Sequence, residues 1–199
     1  MKLYPINEIF YSLQGEGRHS GEAATFVRFS GCNLQCPFCD TDHSRARAMT
    51  AEDIAAEVAG NPAPLVVLTG GEPSLFVDDA LLDTLHAAGK YIAIETNGTN
   101  PLPAGIDWVT FSPKCGMADG ADEIRLGAAD EIKVVNTGQD LEQYFAMPQR
   151  SEKTLMYLQP CFVDDPDERR RIIADTVGRI KADPRWRLSA QIHRYIEIP

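Results

Sequence analysis

Nothing in this chain is apolar over the roughly 20 residues that a membrane-crossing helix needs, and Met1 to Glu8 lacks the continuous apolar segment of a signal peptide. A cytoplasmic protein that uses no membrane is expected. Basic residues are also short: 19 Lys and Arg against 29 Asp and Glu leave a net charge of -10, which opposes unselective binding to nucleic acid or anionic lipid. The expected partner is therefore a small soluble molecule. Low-complexity tracts, repeats and linkers are missing too, so residues 1–199 read as a single domain with one sizeable core. Of the five cysteines three are clustered, and in a reducing cytosol such a cluster points to a metal site in preference to disulfides. Cys115 and Cys161 stand apart and read as small buried apolar residues.

What the chain does have is an alternation of short β-branched runs with segments of helical period, the pattern of β/α units feeding a parallel sheet. Strands are predicted at Ala24 to Phe29, Leu65 to Thr69, Tyr91 to Glu95, Trp108 to Phe111, Glu131 to Val135 and Leu155 to Gln159, with another near Leu188 to His193. Helices are predicted at Ala51 to Ala59, Asp78 to Ala88, Leu141 to Ala146 and Asp167 to Lys181, with a capping box from Thr50 and Asp53 and a closing Gly89. The run Asp167 to Arg171 reads as a solvated helix face. Several strands end in Gly, Ser, Thr or Pro beside charge, as at Thr69-Gly70-Gly71-Glu72-Pro73 and Ser112-Pro113-Lys114. Strand carboxyl ends carry the active sites of β/α folds, and about six units imply an α/β architecture with a partial, open (β/α)6 barrel.

Cys32-Asn-Leu-Gln-Cys36-Pro-Phe38-Cys39 is a C-x3-C-x2-C loop able to wrap three thiolates round one centre. Thiolates select zinc, copper(I) or iron-sulfur clusters. Cys39-x3-His43 also has plausible zinc spacing, so a zinc-stabilised binding module stays open. Three ligands on a four-iron cluster would leave one iron open. The loop, with Phe38 before its third cysteine, resembles the signature of the radical S-adenosylmethionine (SAM) superfamily. The resemblance implies a [4Fe-4S] cluster on Cys32, Cys36 and Cys39, and an open iron that chelates SAM for cleavage to a 5′-deoxyadenosyl radical. It further implies SAM contacts from Phe38, Cys39 and Asp40, from Gly71 and Glu72 of the Gly-Gly-Glu-Pro element, and from Gly98, which would leave room for the cofactor. Ser112, Pro113, Lys114, Gln159, Pro160, Cys161 and Phe162 complete that implied set. Alone, Gly70 to Pro73 reads better as a helix-capping turn.

Further features resemble one family within that superfamily, the 7-carboxy-7-deazaguanine synthases of queuosine biosynthesis, over almost the whole chain. Asn7 to Gly17, taken as a loop ahead of the first strand, holds Leu13-Gln14-Gly15-Glu16, which in that family covers a pterin. Gln14 and Glu16 suit the N-H groups of a pterin edge. Arg28, opposed to Val27 and Phe29 by strand alternation, would meet either a substrate carboxylate or one of the chain's own acids. The resemblance makes Thr41 a magnesium ligand beside the cluster, although a turn or N-cap role suits it as well. Thr96, His193 and the terminal Pro199 complete the implied substrate shell. The implied reaction is a lyase-type ring contraction of 6-carboxy-5,6,7,8-tetrahydropterin with loss of ammonia. An electron donor such as flavodoxin or ferredoxin and a homodimer are implied with it. No general acid or base is obvious. A glycyl-radical activase is the alternative enzyme, disfavoured by the pterin-like shell, and the lack of further cysteine sets argues against an auxiliary cluster.

Overall fold

Runs such as Leu65-Val-Val-Leu68 and Tyr91-Ile-Ala-Ile94 are too short for helices and rich in β-formers, and each becomes a strand of one sheet. The computed structural model describes residues 2–37, 39 and 45–198. Its strands are β1 (Tyr4–Leu13), β2 (Ala23–Phe29), β3 (Arg47–Met49), β4 (Leu65–Gly70), β5 (Tyr91–Thr96), β6 (Trp108–Phe111), β7 (Glu131–Asn136), β8 (Leu155–Pro160) and β9 (Arg187–Leu188). They form a single sheet in the order β3-β1-β2-β4-β5-β6-β7-β8-β9, parallel from β2 onward, with β1 antiparallel to both β2 and β3. The helices are α1 (Ala51–Ala59), α2 (Asp79–Ala87), α3 (Pro166–Ala182) and the short α4 (Ile192–Ile196). An open sheet of this kind is the expected partial barrel.

Three expectations are corrected. Asn7 to Leu13 belongs to a strand: Phe10 stacks on Phe26 across the β1–β2 pair at 4.8 Å, so the segment's order comes from a partner that follows a hairpin. Among the described residues no helix joins β5 to β6 or β6 to β7, and the expected helix at Leu141 to Ala146 is a 3-10 turn over Glu142–Ala146. The last strand stops at Leu188, and Ile192 and His193 lie in α4, where the Ile192 amide donates to the Gly15 carbonyl at 3.1 Å and turns the tail inward. The capping box of α1 is present, and α3 buries only Thr176, as a solvated helix should.

Strand alternation divides the side chains between two faces. Val66, Leu68, Ile92 and Ile94 point outward into a core completed by Ile54, Val58, Leu81, Leu82 and Leu85 of α1 and α2. Ala24, Leu65, Val67 and Ala93 form a separate inner cluster with Phe26 and Trp108 against it. On the same inner face, the following positions become polar or charged: Arg28 and Thr69 are paired in register, as are Glu95 and Thr110. The barrel interior is thus apolar below and polar above, which is what a site for a polar ligand requires.

Asp78 ties the first strand to α2. Its carboxylate accepts from the Leu81 amide at 3.1 Å, the Tyr4 hydroxyl at 2.7 Å and Lys2 at 2.8 Å. Burial opposes ionisation of Asp78, but these donors outweigh it and lower its pKa, while burial and then the bond to Asp78 raise that of Tyr4. Removing an N-cap of this kind costs about 1–2 kcal/mol. Asp78→Ala should show that loss in urea unfolding at neutral pH. Because a lowered folded-state pKa adds stability above the unfolded value, the difference from wild type should shrink as pH falls through the carboxylate range.

Candidate active site

The polar end of the barrel opens into a cleft of about 350 Å³. Of the residues singled out from sequence, Leu13, Gln14, Gly15, Glu16, Arg28, Cys32, Cys36, Cys39, Gly71, Glu72, Thr96, Ser112, Lys114, Gln159, Pro160, Cys161, Phe162 and His193 all line it. Phe38, Asp40, Thr41, His43 and Pro199 lie outside the described residues. Two residues of the implied SAM set, Pro113 and Gly98, do not line the cleft. Pro113 is buried and is absent from the cleft wall. The space left by Gly98 is filled: a Cβ there would sit 2.4 Å from the Phe111 ring, so this glycine, at φ +78°, serves packing instead of opening room for a cofactor.

At one end of the cleft three free cysteines, Cys32, Cys36 and Cys39, share a wall. Burial raises the Cys32 and Cys36 thiols above their ordinary pKa, and the charge each would carry disfavours the next. A group that takes several thiolates together relieves both effects. Three thiols lining one cleft are a donor set suited to an iron-sulfur cluster. The loop carrying them rests on Gly71, where a Cβ would stand 2.0 Å from the Gly31 carbonyl oxygen, and the Glu72 amide donates to that oxygen at 2.9 Å. Asn33, inside the cysteine loop, is held by Asn97 and Thr99 at 3.1 and 2.8 Å.

Glu72 is almost fully buried. Its Oε1 accepts from the Ser74 amide and the Thr96 hydroxyl at 3.0 and 2.7 Å, and its Oε2 from the Asn97 amide at 2.7 Å. Thr96, expected in a substrate shell, is in direct contact with the carboxylate expected to serve SAM. Lys114 donates to both oxygens of Ser112, and burial lowers its pKa.

The other end of the cleft is built by the hairpin between β1 and β2. The hairpin enters from the amino end of β2, not from the strand carboxyl ends where the sequence pattern concentrated its unusual residues. Gln14 Oε1 accepts from the Glu16 amide at 3.1 Å and shapes the turn. Glu16 is then carried across to the far side of the sheet, where its Oε2 accepts from Lys133 Nζ at 2.5 Å and its Oε1 from Gln191 at 2.9 Å and Gln159 at 3.3 Å. The Gly17 amide donates to Ser189 Oγ, and Gly15 is so close to His193 that a Cβ would meet Nδ1 at 2.4 Å. Arg28 has the partner that was one of its two expected readings: its Nε donates to Glu8 Oε1 at 2.8 Å, and the guanidinium lies over Phe10. Its remaining nitrogens donate to no described residue and face the cleft.

Lys133 and Glu95 went unrecognised in the sequence. Lys133 is 4% exposed and donates to Glu95 Oε2 at 2.6 Å as well as to Glu16. Burial alone would lower the Lys133 pKa, but Glu16, Glu95 and Glu131 reverse this and raise it. Burial would likewise raise Glu16, yet Lys133 and Gln191 bring it below the usual carboxylate range. The missed signal is the alternation Glu131-Ile-Lys133-Val-Val135: Ile132 and Val134 pack in the apolar core, which sends Lys133 to the opposite face.

The radical SAM superfamily profile matches residues 26–141. The 7-carboxy-7-deazaguanine synthase of Bacteroides thetaiotaomicron is 53% identical over 193 residues, covering 97% of each chain. That of Caulobacter vibrioides is 41% identical over 98% of this chain and 99% of its own. The crystal structure of QueE from Escherichia coli superposes with a TM-score of 0.75 at 32% identity, covering 94% of this chain and 93% of the other.

The contact between Gly71 and the cysteine loop is backbone against backbone, so no side chain can yield to it. Gly71→Ala should lose most of its iron and acid-labile sulfide after anaerobic reconstitution. Gly127→Ala, where a Cβ meets nothing within 4 Å, should retain both.

Proposed function

Because the chain belongs to the 7-carboxy-7-deazaguanine synthase family of radical SAM enzymes, we propose that its cleft binds 6-carboxy-5,6,7,8-tetrahydropterin and contracts it to 7-carboxy-7-deazaguanine with release of ammonia. The observation that carries this reading is a single cleft lined by three thiols together with Arg28, Glu16 and His193. Cys32, Cys36 and Cys39 would hold the [4Fe-4S] cluster, with the 199 residues acting as one domain around it. When bound, the cluster and SAM supply a 5′-deoxyadenosyl radical for hydrogen abstraction.

The remaining work falls to the chain's own side chains. Glu72, fixed by three donors, is suited to receive the SAM ammonium, and Ser112, Lys114 and Phe162 border the same part of the cleft. Arg28 is held by Glu8 through Nε, so its other nitrogens can take the substrate carboxylate in a paired contact. Gln14, Glu16 and His193 then surround the pterin ring, and the hairpin and tail that carry them exclude water. A glycyl-radical activase would need an opening for a protein loop. Here the hairpin and tail bond to each other across that side of the cleft. Magnesium at Thr41, an electron donor of the flavodoxin or ferredoxin class and a cytoplasmic homodimer complete the proposal on family resemblance. Exposed Leu188, Tyr195 and Ile196 offer apolar surface for a second copy.

Anaerobic incubation of the reconstituted enzyme with SAM, a reductant and the carboxytetrahydropterin should yield the deazapurine and ammonia. An intact cluster that cleaves SAM and forms no deazapurine would refute the function. His193→Ala should still generate 5′-deoxyadenosine while product formation falls by about 10-fold or more, the loss expected from one buried polar contact of ~1.5 kcal/mol.

A further inference from the structure

The proposed reaction expels a nitrogen, and a departing amine needs a proton. That proton has to come from a side chain lining the pterin end of the cleft. Three carboxylates crowd one ammonium there: Lys133 bridges Glu16 and Glu95, and Glu131 lies close to both Lys133 and Glu95. One positive charge cannot balance three buried negative ones, so one carboxyl retains its proton.

The hydrogen bonds identify which. Glu16 has both oxygens occupied, by Lys133 on one side and by Gln159 and Gln191 on the other. Glu131 accepts from the Thr110 hydroxyl on Oε1 and the Arg18 amide on Oε2. Glu95 gives one oxygen to Lys133, and its Oε1 receives no bond from any described residue while the side chain lines the cleft.

We propose that Glu95, through the oxygen that Lys133 leaves free, is the proton donor to the departing nitrogen. The inference rests on the function proposed above. The Glu95 carboxyl gives its proton to nitrogen as the carbon-nitrogen bond breaks, and the electron pair of that bond leaves with the nitrogen. The resulting carboxylate takes the proton that the contracted ring sheds on becoming aromatic. Substrate and product differ by ammonia alone, so the exchange balances without an oxidant or reductant. Burial, with Glu16 and Glu131 adding to it, outweighs Lys133 and pushes the Glu95 pKa up to about 7, where a carboxyl can both give and regain a proton at neutral pH. Arg28, Glu72, Lys114, His193 and Arg194 are other titratable or charged groups that line the cleft.

The test uses the reconstituted holoenzyme with SAM, dithionite and the carboxytetrahydropterin, following 5′-deoxyadenosine and deazapurine separately. Glu95→Gln should keep 5′-deoxyadenosine formation and lose about 100-fold or more in deazapurine. Glu95→Asp should recover part of that loss. Wild-type product formation should decline as pH rises through about 7, and the decline should be missing from the residual activity of Glu95→Gln. Infrared titration of the holoenzyme before turnover should show a protonated-carboxyl band that disappears over the same range and is absent from Glu95→Gln. Undiminished deazapurine from that variant, or a wild type without the band, overturns the assignment of Glu95 alone. A wild type that makes no deazapurine overturns the function and this step with it.

Discussion

Lys133 carries a buried positive charge on the middle of an interior strand, and the substrate end of the cleft depends on it. An ion pair near a protein surface is worth about 4 kcal/mol at 4 Å, and removing each ion from water costs several kcal/mol in return. The bridge from Glu16 to Lys133 to Glu95 therefore contributes little net stability. Its effect is positional: an acid from a hairpin loop and an acid from β5 are both fixed on one ammonium at 2.5 and 2.6 Å. A pterin entering the cleft meets carboxylates already placed, and no binding free energy is spent ordering them.

The fold supplies that placement from both edges of the sheet. β1 lies toward one edge and β8 and β9 form the other, so the barrel is open between them. The hairpin that follows β1 bridges the opening by bonding to Glu131, Lys133, Gln159, Ser189 and Gln191. Gly15 and Gly17 are required at this crossing, because a side chain at either would strike His193 or Glu131. At the opposite end Gly71 has the same function toward the cysteine loop. Close backbone approaches thus position the cluster end and the substrate end on one rigid inner face.

Much of this was legible in the sequence where the signal is local. Short β-branched runs marked six parallel strands, Thr50 and Asp53 marked the start of α1, and the spacing of Cys32, Cys36 and Cys39 marked the loop proposed to hold the cluster. The expectations that failed depend on contacts distant in sequence. β1 mixes Asn7 and Glu8 with Ile9 and Phe10, so only its pairing with β2 makes it a strand. Gly98 was read as space for a ligand because the Phe111 ring that fills that space lies 13 residues on. Lys133 was legible by the alternation that exposed Arg28. Its two acids come from residues 16 and 95, and no pattern near residue 133 indicates them.

The cysteine end and the acid end make separable demands, since in the proposed reaction the first generates a radical and the second holds and protonates what the radical attacks. The cluster and SAM should therefore be indifferent to Lys133, and the pterin should not be. The most direct measurement is the affinity of the carboxytetrahydropterin for the SAM-loaded, cluster-bearing Lys133→Met enzyme by anaerobic calorimetry. Pterin binding at least about 10-fold weaker than wild type, a loss of ~1.4 kcal/mol, is expected with SAM affinity and iron content unchanged. Wild-type pterin affinity in that variant would contradict a substrate site built on Lys133.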